Sequence, residues 1–332
     1  MTQEVIKIQD LKGYYRGSFG IVHAVDGVSL SVKKGDIVAI AGESGCGKTS
    51  LAELITGTPI QMLQHEGGQV YVNDMSMYEL DEEVIRKEIL CKVIGYVPQA
   101  SLNSLNPVKK IKDFIIDAMR ERVGTKPKNK EKVLHRVIEH FKKLGLEKSV
   151  IDKYPHELSG GMKQRVVVGI SSLWNPIILI VDEPTSALDV TTQQLLIKTL
   201  KNLKEIGIVE TILFISHDLP TLAQICNTCI IMYAGKIVEQ ASMDDIINYP
   251  QHPYTKMLIN SIACFNPDGS AETKLEGIPG RPPDLKRPPK GCRFYPRCPY
   301  KLEKCKDNYP PFFFSGKNKN PVACWLPEEG GN

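Results

Sequence analysis

The sequence GESGCGKT occupies residues 42–49, at the end of the apolar run DIVAIAG (36–42), with which it shares Gly42, and before the helix-forming SLAELITG. Two glycines five residues apart, followed by Lys and Thr between a strand and a helix, are typical of a phosphate-binding loop. Glycines let backbone amides face phosphate oxygens, and a helix amino terminus favours an anion. The stretch therefore predicts a nucleotide site with Lys48 at the β- and γ-phosphates and Thr49 at Mg²⁺. The predicted loop consists of Gly42, Glu43, Ser44, Gly45, Cys46, Gly47, Lys48, Thr49 and Ser50.

Apolar patterning around this loop predicts an α/β fold. The runs at 36–42, 177–183 and 211–218 are nearly continuous, as expected for parallel strands covered on both faces. Residues 4–9, 28–32 and 67–73 alternate apolar and polar, which predicts antiparallel strands with one exposed face. Apolar residues at three-to-four spacing predict a helix over 132–146. We therefore expect an α/β core with added antiparallel strands and a helical insert near 100–160.

The composition changes towards the carboxyl end of the chain. Nine prolines lie between Pro279 and Pro311, and proline blocks regular helix and central strand. This change predicts a boundary near residue 250. We expect a nucleotide-binding domain over 1–250 and a small irregular, Cys-rich domain over 251–332, entered through a helix around HPYTKMLINSI (252–262).

Composition and charge exclude several classes of protein. The chain has 332 residues and no apolar run long enough to cross a bilayer, and MTQEVIKIQD lacks a basic start followed by an apolar run. We therefore expect neither a transmembrane segment nor export. A net charge of +4 with 24% charged residues gives little support to nucleic-acid binding, so no nucleic-acid partner is predicted.

Two further motifs concern phosphate chemistry. IILIVDEP (177–184) ends a buried strand in two carboxylates, which predicts Asp182 as a Mg²⁺ ligand and Glu183 as the base that polarises a water. LSGGMKQR (158–165) places Ser159, Gly160 and Gly161 at the start of a helix. That position predicts a second anion site.

Taken in order, GESGCGKT, VPQ (97–99), LSGGMKQR, IVDEPTSALD (180–189) and ISHD (215–218) resemble the motifs of the ATP-binding subunits of ABC transporters. The resemblance implies an ABC-type nucleotide-binding domain, a RecA-like parallel core with an antiparallel β subdomain and a helical subdomain, that binds ATP and Mg²⁺ and hydrolyses ATP. It also implies that Gln99 links the Mg²⁺ to a transmembrane partner and that His217 contacts the γ-phosphate. Tyr15 would stack on adenine, with Tyr14 as a competitor.

In that family two subunits pair head to tail. Asp189 would then lie in the loop facing the opposite subunit, whose nucleotide site would be completed by Ser159, Gly160, Gly161 and Gln164. The implied partners are two transmembrane permeases, a second ATPase subunit, identical or related, and, indirectly, an extracytoplasmic substrate-binding protein. The chain would lie at the cytoplasmic face of the membrane. Met162 stands where many members have glutamine, and the residues after Gln99 depart from the commoner acidic form.

Three other classes that use a phosphate loop fit less well. A DNA-repair ATPase of the ABC type would need a long coiled-coil insert with heptads, and none is present. A translation factor would carry two nucleotide cassettes in one chain. A GTPase switch has no place for LSGGMKQR. A non-transport ABC ATPase is therefore only a remote alternative.

The carboxy-terminal stretches HPYTKMLINSI, IPGRPPDL, GCRFYPRCPY and VACWL resemble those of the oligopeptide and dipeptide importer ATPases. The resemblance implies that the chain powers the import of dipeptides or oligopeptides. Relatives within that subfamily also import nickel or certain oligosaccharides, which stay open as alternative cargoes.

The cysteines divide into two groups. Without an export signal they are expected to be reduced thiols or metal ligands. Cys226 and Cys229 form a CxxC, but the apolar run CIIMY predicts buried core positions, and Cys264 falls beside a probable helix. Four others lie in the proline-rich tail, where four thiolates could bind an iron–sulfur cluster or zinc. These are Cys292, Cys298, Cys305 and Cys324. Some peptide-importer ATPases carry a [4Fe–4S] cluster here, so the resemblance favours the cluster over Zn²⁺.

Overall fold

The architecture is that of a computed structural model, which describes residues 3–60, 62–123, 129–186, 188–261 and 277–329. Its strands are β1 Glu4–Gly17, β2 Gly20–Lys33, β3 Ile37–Ala41, β4 Leu63–Val72, β5 Met75–Ser76, β6 Ile94–Val97, β7 Ile178–Asp182, β8 Thr211–Ser216, β9 Thr228–Tyr233, β10 Lys236–Ser242, β11 Phe313–Ser315 and β12 Asn320–Val322. Its α-helices are α1 Lys48–Thr56, α2 Glu82–Val84, α3 Ile111–Val123, α4 Lys130–Lys143, α5 Gly160–Ser171, α6 Val190–Glu205, α7 Leu219–Ala223, α8 Met243–Asn248, α9 Pro253–Asn260 and α10 Lys304–Asp307. Short 3₁₀ turns cover Met77–Glu79, Ser101–Asn103, Lys148–Asp152, Pro155–Glu157, Tyr295–Arg297 and Leu326–Glu329, and a π-helical turn covers Ile85–Ile89.

An eight-stranded sheet in the order β11-β12-β10-β9-β3-β8-β7-β6 forms the centre of the fold. The strands β9, β3, β8, β7 and β6 are parallel. Every residue of β7 and β8 is buried, because their apolar side chains are covered on both faces. The parallel strands predicted at 36–42, 177–183 and 211–218 are confirmed.

A second, antiparallel sheet packs over helix α1 in the order β2-β1-β4-β5. Alternating side chains of β1, β2 and β4 enter a shared core with α1 and one face of the central sheet. The three predicted antiparallel strands are confirmed, and β1 and β2 extend further than their alternating patterns predict.

The opposite face of the central sheet carries the helical insert. The helix predicted over 132–146 is α4, which begins after Asn129, whose side chain accepts a hydrogen bond from the Lys132 amide. It ends before Gly145, whose φ of 70° a glycine adopts without steric cost. Phe141 and Val137 of α4 pack into the core of that face. The helical insert therefore packs on the same face of the central sheet as α5, next to β6.

The carboxy-terminal part of the chain is less irregular than predicted. The linking helix is present as α9, capped by the His252 side chain. Strands β11 and β12 were not predicted, yet β12 pairs with β10 through Val322 and Glu239, so this segment extends the central sheet. The sequence does not indicate these strands, because each has only three residues and because Pro321, a residue type that is rare in central strands, lies in β12.

Cys226 and Cys229 are 7% and 0% exposed, which confirms the predicted core positions. Cys264 lies outside the described residues. Among the helices that the structure describes, none is long and apolar enough to cross a membrane.

Candidate functional site

The phosphate loop leaves the end of β3 and enters α1. A side chain at Gly47, whose φ is 104°, would place its Cβ 2.1 Å from the carbonyl oxygen of Ala24, and at Gly42 the Cβ would lie 2.1 Å from the Met232 carbonyl oxygen. Lys48 is 6% exposed, and its ammonium donates to the carbonyls of Gly42 at 2.7 Å and Glu43 at 3.1 Å. The glycines thus allow a tight loop that holds the lysine head within it.

The three predicted Mg²⁺ ligands lie on adjacent elements. Thr49 lies in the first turn of α1, Gln99 follows β6, and Asp182 ends β7. The Thr49 hydroxyl donates to Gln99 Oε1 at 3.3 Å. Asp182 is fully buried, and neither of its carboxylate oxygens accepts a hydrogen bond, although the nearby Thr49 favours its ionised form. An unpartnered buried carboxylate is costly unless it meets a cation, so the three residues fit Mg²⁺.

Burial raises the pKa of Asp182 to about 6, and the charge of the adjacent Glu183 adds to this effect. The nearby Lys48 opposes it. A bound divalent cation would reverse the balance, because it stabilises the ionised carboxylate directly.

Glu183 and His217 form a pair beyond the metal ligands. The His217 Nδ1 lies 2.9 Å from each carboxylate oxygen of Glu183, and the His217 amide donates to Glu183 Oε1 at 3.1 Å. Glu183 has a φ of 47°, outside the usual range of its residue type, and is 8% exposed. The imidazole is largely exposed. This arrangement fixes the carboxylate while leaving the histidine accessible.

The first residues of the phosphate loop and the Glu183–His217 pair line one cavity. Its walls are formed by the phosphate loop, the Gln99 loop, the Glu183–His217 pair, Ser186 and Leu258. Ser186 and Leu258 are not among the site residues that the sequence predicts. The Ser186 hydroxyl donates to the Glu183 carbonyl at 2.8 Å, and Leu258 comes from α9, so the carboxy-terminal part of the chain contributes to the site.

The two candidate adenine-stacking tyrosines make different contacts. The Tyr15 hydroxyl lies 3.0 Å from the Ser50 hydroxyl in the first turn of α1. The Tyr14 hydroxyl donates to Asp26 at 2.8 Å, and its ring lies 4.2 Å from that of His23. Of the two hydroxyls, that of Tyr15 has its hydrogen-bond partner in the helix that follows the phosphate loop, and that of Tyr14 has its partner in β2.

The LSGG motif begins α5 at the surface. The Ser159 hydroxyl accepts a hydrogen bond from the Met162 amide at 3.3 Å, and both Ser159 and Gly160 are exposed. At Gly161 a Cβ would lie 2.3 Å from the Thr192 methyl group. Thr192 in turn donates to the side chain of Asp189, which caps α6. The motif and the Asp189 loop therefore form one packed unit, outside the cavity that Glu183 and His217 line.

Gln164 does not belong to that exposed unit. It is 2% exposed, and its Oε1 accepts a hydrogen bond from the Ser101 hydroxyl at 2.8 Å. Position 164 lies one helical turn into α5, where the side chain faces inwards. The predicted contact of Gln164 with an opposing nucleotide is therefore not supported, and the residue instead connects α5 to the segment after Gln99.

The four tail cysteines converge on one small cavity, which His252 and Phe294 also line. Burial raises the pKa of Cys292 to about 12 and that of Cys324 to about 11, and the other thiols of the group add to both shifts. Four soft sulfur donors facing one cavity suit a thiolate-bound metal centre. Over the described parts of the chain, however, no three or more His, Cys, Asp or Glu side chains are drawn close enough to form a ready metal-binding group.

Comparison with known proteins agrees with this geometry. The family model for ABC transporters matches residues 25–186, and that for the oligopeptide/dipeptide transporter carboxy-terminal region matches residues 238–305. Among solved structures, the dimeric post-hydrolysis state of the ATP-binding cassette MJ0796 bound to ADP and Pi matches with a TM-score of 0.62 and 27% identity, over 72% of this chain and 98% of that one.

Curated relatives match over nearly their whole length. The dipeptide transport ATP-binding protein DppD of Caldanaerobacter subterraneus is 39% identical over 98% of both chains. The oligopeptide transport ATP-binding protein AppD of Bacillus subtilis is 35% identical, again over 98% of both. With the phosphate loop, the acidic strand end and the LSGG helix in place, the chain belongs to the family of ABC transporter ATP-binding proteins, in the group that carries the oligopeptide/dipeptide transporter carboxy-terminal region.

Proposed function

We propose that the chain is the ATP-hydrolysing subunit of an importer for dipeptides or oligopeptides. The observation that carries this proposal is the single cavity in which the phosphate loop, Gln99, Glu183 and His217 meet. The peptide cargo is supported by the relatives named for dipeptide and oligopeptide transport and by the matching carboxy-terminal region. Nickel and oligosaccharides are the alternative cargoes within the same group.

The chemistry follows from the positions of the side chains. Lys48 is placed to move from the loop carbonyls to the β- and γ-phosphates, and Thr49, Gln99 and Asp182 would hold Mg²⁺, which neutralises phosphate charge. Glu183 would accept a proton from the attacking water, and His217, which holds that carboxylate, would contact the γ-phosphate. Tyr15 would stack on the adenine.

A second ATPase subunit is needed to complete each site. Ser159 and Gly160 are exposed, Gly161 is half-buried, and none of the three lines the cavity of its own chain, so they would reach the γ-phosphate of a partner in a head-to-tail dimer. Asp189 would lie between the two subunits. The dimeric cassette among the structural relatives supports this arrangement.

The remaining partners lie at the membrane. Gln99 and the helical insert would contact two transmembrane permeases from the cytoplasmic face, and an extracytoplasmic protein would deliver the cargo.

Residues 1–250 would form the nucleotide-binding domain and residues 251–332 the carboxy-terminal one.

Replacement of Glu183 tests the proposed hydrolysis. Glu183→Gln should bind ATP, accumulate as a closed dimer and lose turnover, because the amide cannot accept the proton. The assay is phosphate release by the complex reconstituted with its permeases, with Glu205→Gln, an exposed acid at the end of α6, as the matched control. Near-normal turnover of Glu183→Gln would refute the assignment. Uptake of labelled dipeptide, nickel and oligosaccharide by the same vesicles distinguishes the cargoes.

We also propose that Cys292, Cys298, Cys305 and Cys324 bind a [4Fe–4S] cluster, with Zn²⁺ as the alternative. Their convergence on one cavity in a proline-rich segment supports this proposal, since a metal centre supplies folding energy where regular structure is sparse. Anaerobic purification should give brown protein with about four iron and four sulfide per chain, both lost in Cys298→Ser. Colourless protein with one zinc per chain would contradict the cluster and leave the four-cysteine site intact.

A further inference from the structure

Glu43, the second residue of the phosphate loop, is held by the carboxy-terminal part of the chain. Its carboxylate accepts hydrogen bonds from both terminal nitrogens of Arg297, at 2.7 and 3.0 Å. Its amide donates to the Tyr254 hydroxyl at 2.9 Å. Its carbonyl accepts from Lys48 and from the Cys46 amide. Two of the three polar groups of Glu43 are therefore engaged by residues beyond 250, and the third contacts the loop itself.

The Arg297 side chain is itself rigidly placed. It is buried, and its Nε donates to the Pro279 carbonyl at 2.8 Å, while Nη2 donates to the Ile278 carbonyl at 3.1 Å. Nη1 also donates to the Tyr233 hydroxyl at 3.2 Å. These hydrogen bonds hold the guanidinium in one orientation. Its two parallel hydrogen bonds to Glu43 therefore fix both the distance and the orientation of that carboxylate.

Arg297 also connects the loop to the four-cysteine cavity. It directly precedes Cys298, one of the residues that line that cavity. The Phe294 ring, which lines the same cavity, lies 5.5 Å from the Tyr254 ring and 5.2 Å from the Tyr233 ring. The residues that hold Glu43 therefore lie directly behind the wall of the cysteine cavity, Arg297 next to Cys298 in the chain and Tyr254 against Phe294.

We propose that Arg297 is a positioning residue for nucleotide binding, which holds the phosphate loop through Glu43 and thereby ties ATP affinity to the four-cysteine segment. The physical reason is preorganisation. Gly42, Gly45 and Gly47 all have positive φ, and glycine is the residue that loses most freedom when it is ordered. A loop that is already fixed by Arg297 does not lose that freedom again when phosphate binds.

Arg293 offers a matched control in the same segment. It is 4% exposed, donates to the Ala234 carbonyl and pairs with a carboxylate of the nucleotide-binding part, as Arg297 does. Its partner, however, is Asp26 in β2, outside the phosphate loop. Removing either arginine breaks a partly buried ion pair between the two parts of the chain, but only one of these pairs involves the loop.

The test uses the full-length protein. ATP affinity is measured by titration with a fluorescent ATP analogue in the presence of Mg²⁺, and the melting temperature is measured by thermal unfolding. Arg297→Met should weaken binding about tenfold, equivalent to about 1.4 kcal/mol. Glu43→Gln should weaken it similarly, and the double variant should be no weaker than either, because both changes remove one interaction. Arg293→Met should lower the melting temperature while keeping affinity within about twofold. Arg297→Lys should keep only part of the ATP affinity that Arg297→Met loses, since an ammonium cannot make two parallel hydrogen bonds to one carboxylate.

Wild-type affinity in a folded Arg297→Met protein would overturn the proposal. So would an equal loss of affinity in Arg293→Met, which would show that general destabilisation is the cause. If Arg297→Met does not fold, the isosteric Glu43→Gln decides alone, and unchanged affinity in that variant refutes the idea. The inference requires only that the chain binds ATP, so failure of the proposed peptide-driven turnover would leave these titrations valid.

Discussion

Asp182 offers the most direct test of the site, because its carboxylate is fully buried and accepts no hydrogen bond. Burial raises its pKa from the ordinary 3.8 to about 6. That difference means that ionisation of Asp182 destabilises the folded, metal-free protein by about 3 kcal/mol at pH 7.5. Asp182→Asn removes the charge and keeps the shape, so the nucleotide-free protein should become more stable even as it loses its metal ligand.

The gain can be converted into a melting temperature. The new amide group needs buried partners of its own, so we expect a net gain of about 1–3 kcal/mol. An unfolding entropy of about 2.1 cal/mol/K per residue gives about 0.7 kcal/mol/K for the 332 residues of the chain. The melting temperature of Asp182→Asn should therefore lie about 1.5–4 °C above that of the wild type at pH 7.5.

The advantage should depend on pH in a defined direction. Because the folded-state pKa of Asp182 is raised above the unfolded value, the wild type is free of the penalty below about pH 4 and acquires it as the pH rises through about 6. The advantage of Asp182→Asn should therefore be about 1.4 kcal/mol smaller at pH 5 than at pH 7.5. Measuring that difference, rather than either protein alone, cancels every other titrating group.

The assay is thermal unfolding with EDTA and without nucleotide at both pH values, followed by Mg²⁺ titration in the presence of ATP. Mg²⁺ should stabilise the ATP-bound wild type and have a much smaller effect on Asp182→Asn. Glu205→Gln is the control, because this exposed carboxylate at the end of α6 lies outside the site and its loss should bring no gain. A variant that is no more stable at pH 7.5, or equally advantaged at pH 5, would refute the reasoning.

Other predictions concern neighbouring groups. His217→Ala should lower the ATPase rate about a hundredfold and leave ATP affinity within about twofold, since the imidazole holds Glu183 rather than the loop; an unchanged rate would contradict its role. Gly47→Ala should abolish ATP binding in a titration, because its φ is 104° and its Cβ would meet a backbone carbonyl of β2; retained affinity would show that the loop relaxes. Burial lowers the pKa of His140 to about 4, so stability falls as the pH drops below the unfolded value of 6.5. Between pH 7 and 5 the wild type should lose about 2 kcal/mol more than His140→Gln, and equal losses in thermal melts would exclude this explanation.

The sequence correctly predicts the strands, helices and loops whose conformation depends mainly on residues that are close together in the chain. The buried strands β3, β7 and β8 follow from continuous apolar runs, and α4 follows from its three-to-four spacing. The phosphate loop is equally local, because two glycines, a strand and a helix lie within twenty residues. In each case the pattern and the structure agree because no distant residue is needed to choose the conformation.

The parts that were missed depend on distant partners. Arg297 and Glu43 are 254 residues apart in the chain, and nothing near either residue indicates the other. Gln164 is predicted to reach the nucleotide of an opposing subunit because the LSGG pattern shows where α5 begins and not which face of the helix Ser101 covers. Strands β11 and β12 have three residues each, too few for an alternating pattern to show.

The pairing of β12 with β10 has a consequence for synthesis of the chain. Glu239 and its partner Val322 are separated by about eighty residues, so at about 5–20 residues per second the edge of β10 stays unpaired for about 4–16 s after it could first pair. An open strand edge is a template for pairing with other chains. Aggregation during translation should therefore be most sensitive to slow codons between these two strands, and a chain that stops near residue 250 would keep that edge open permanently.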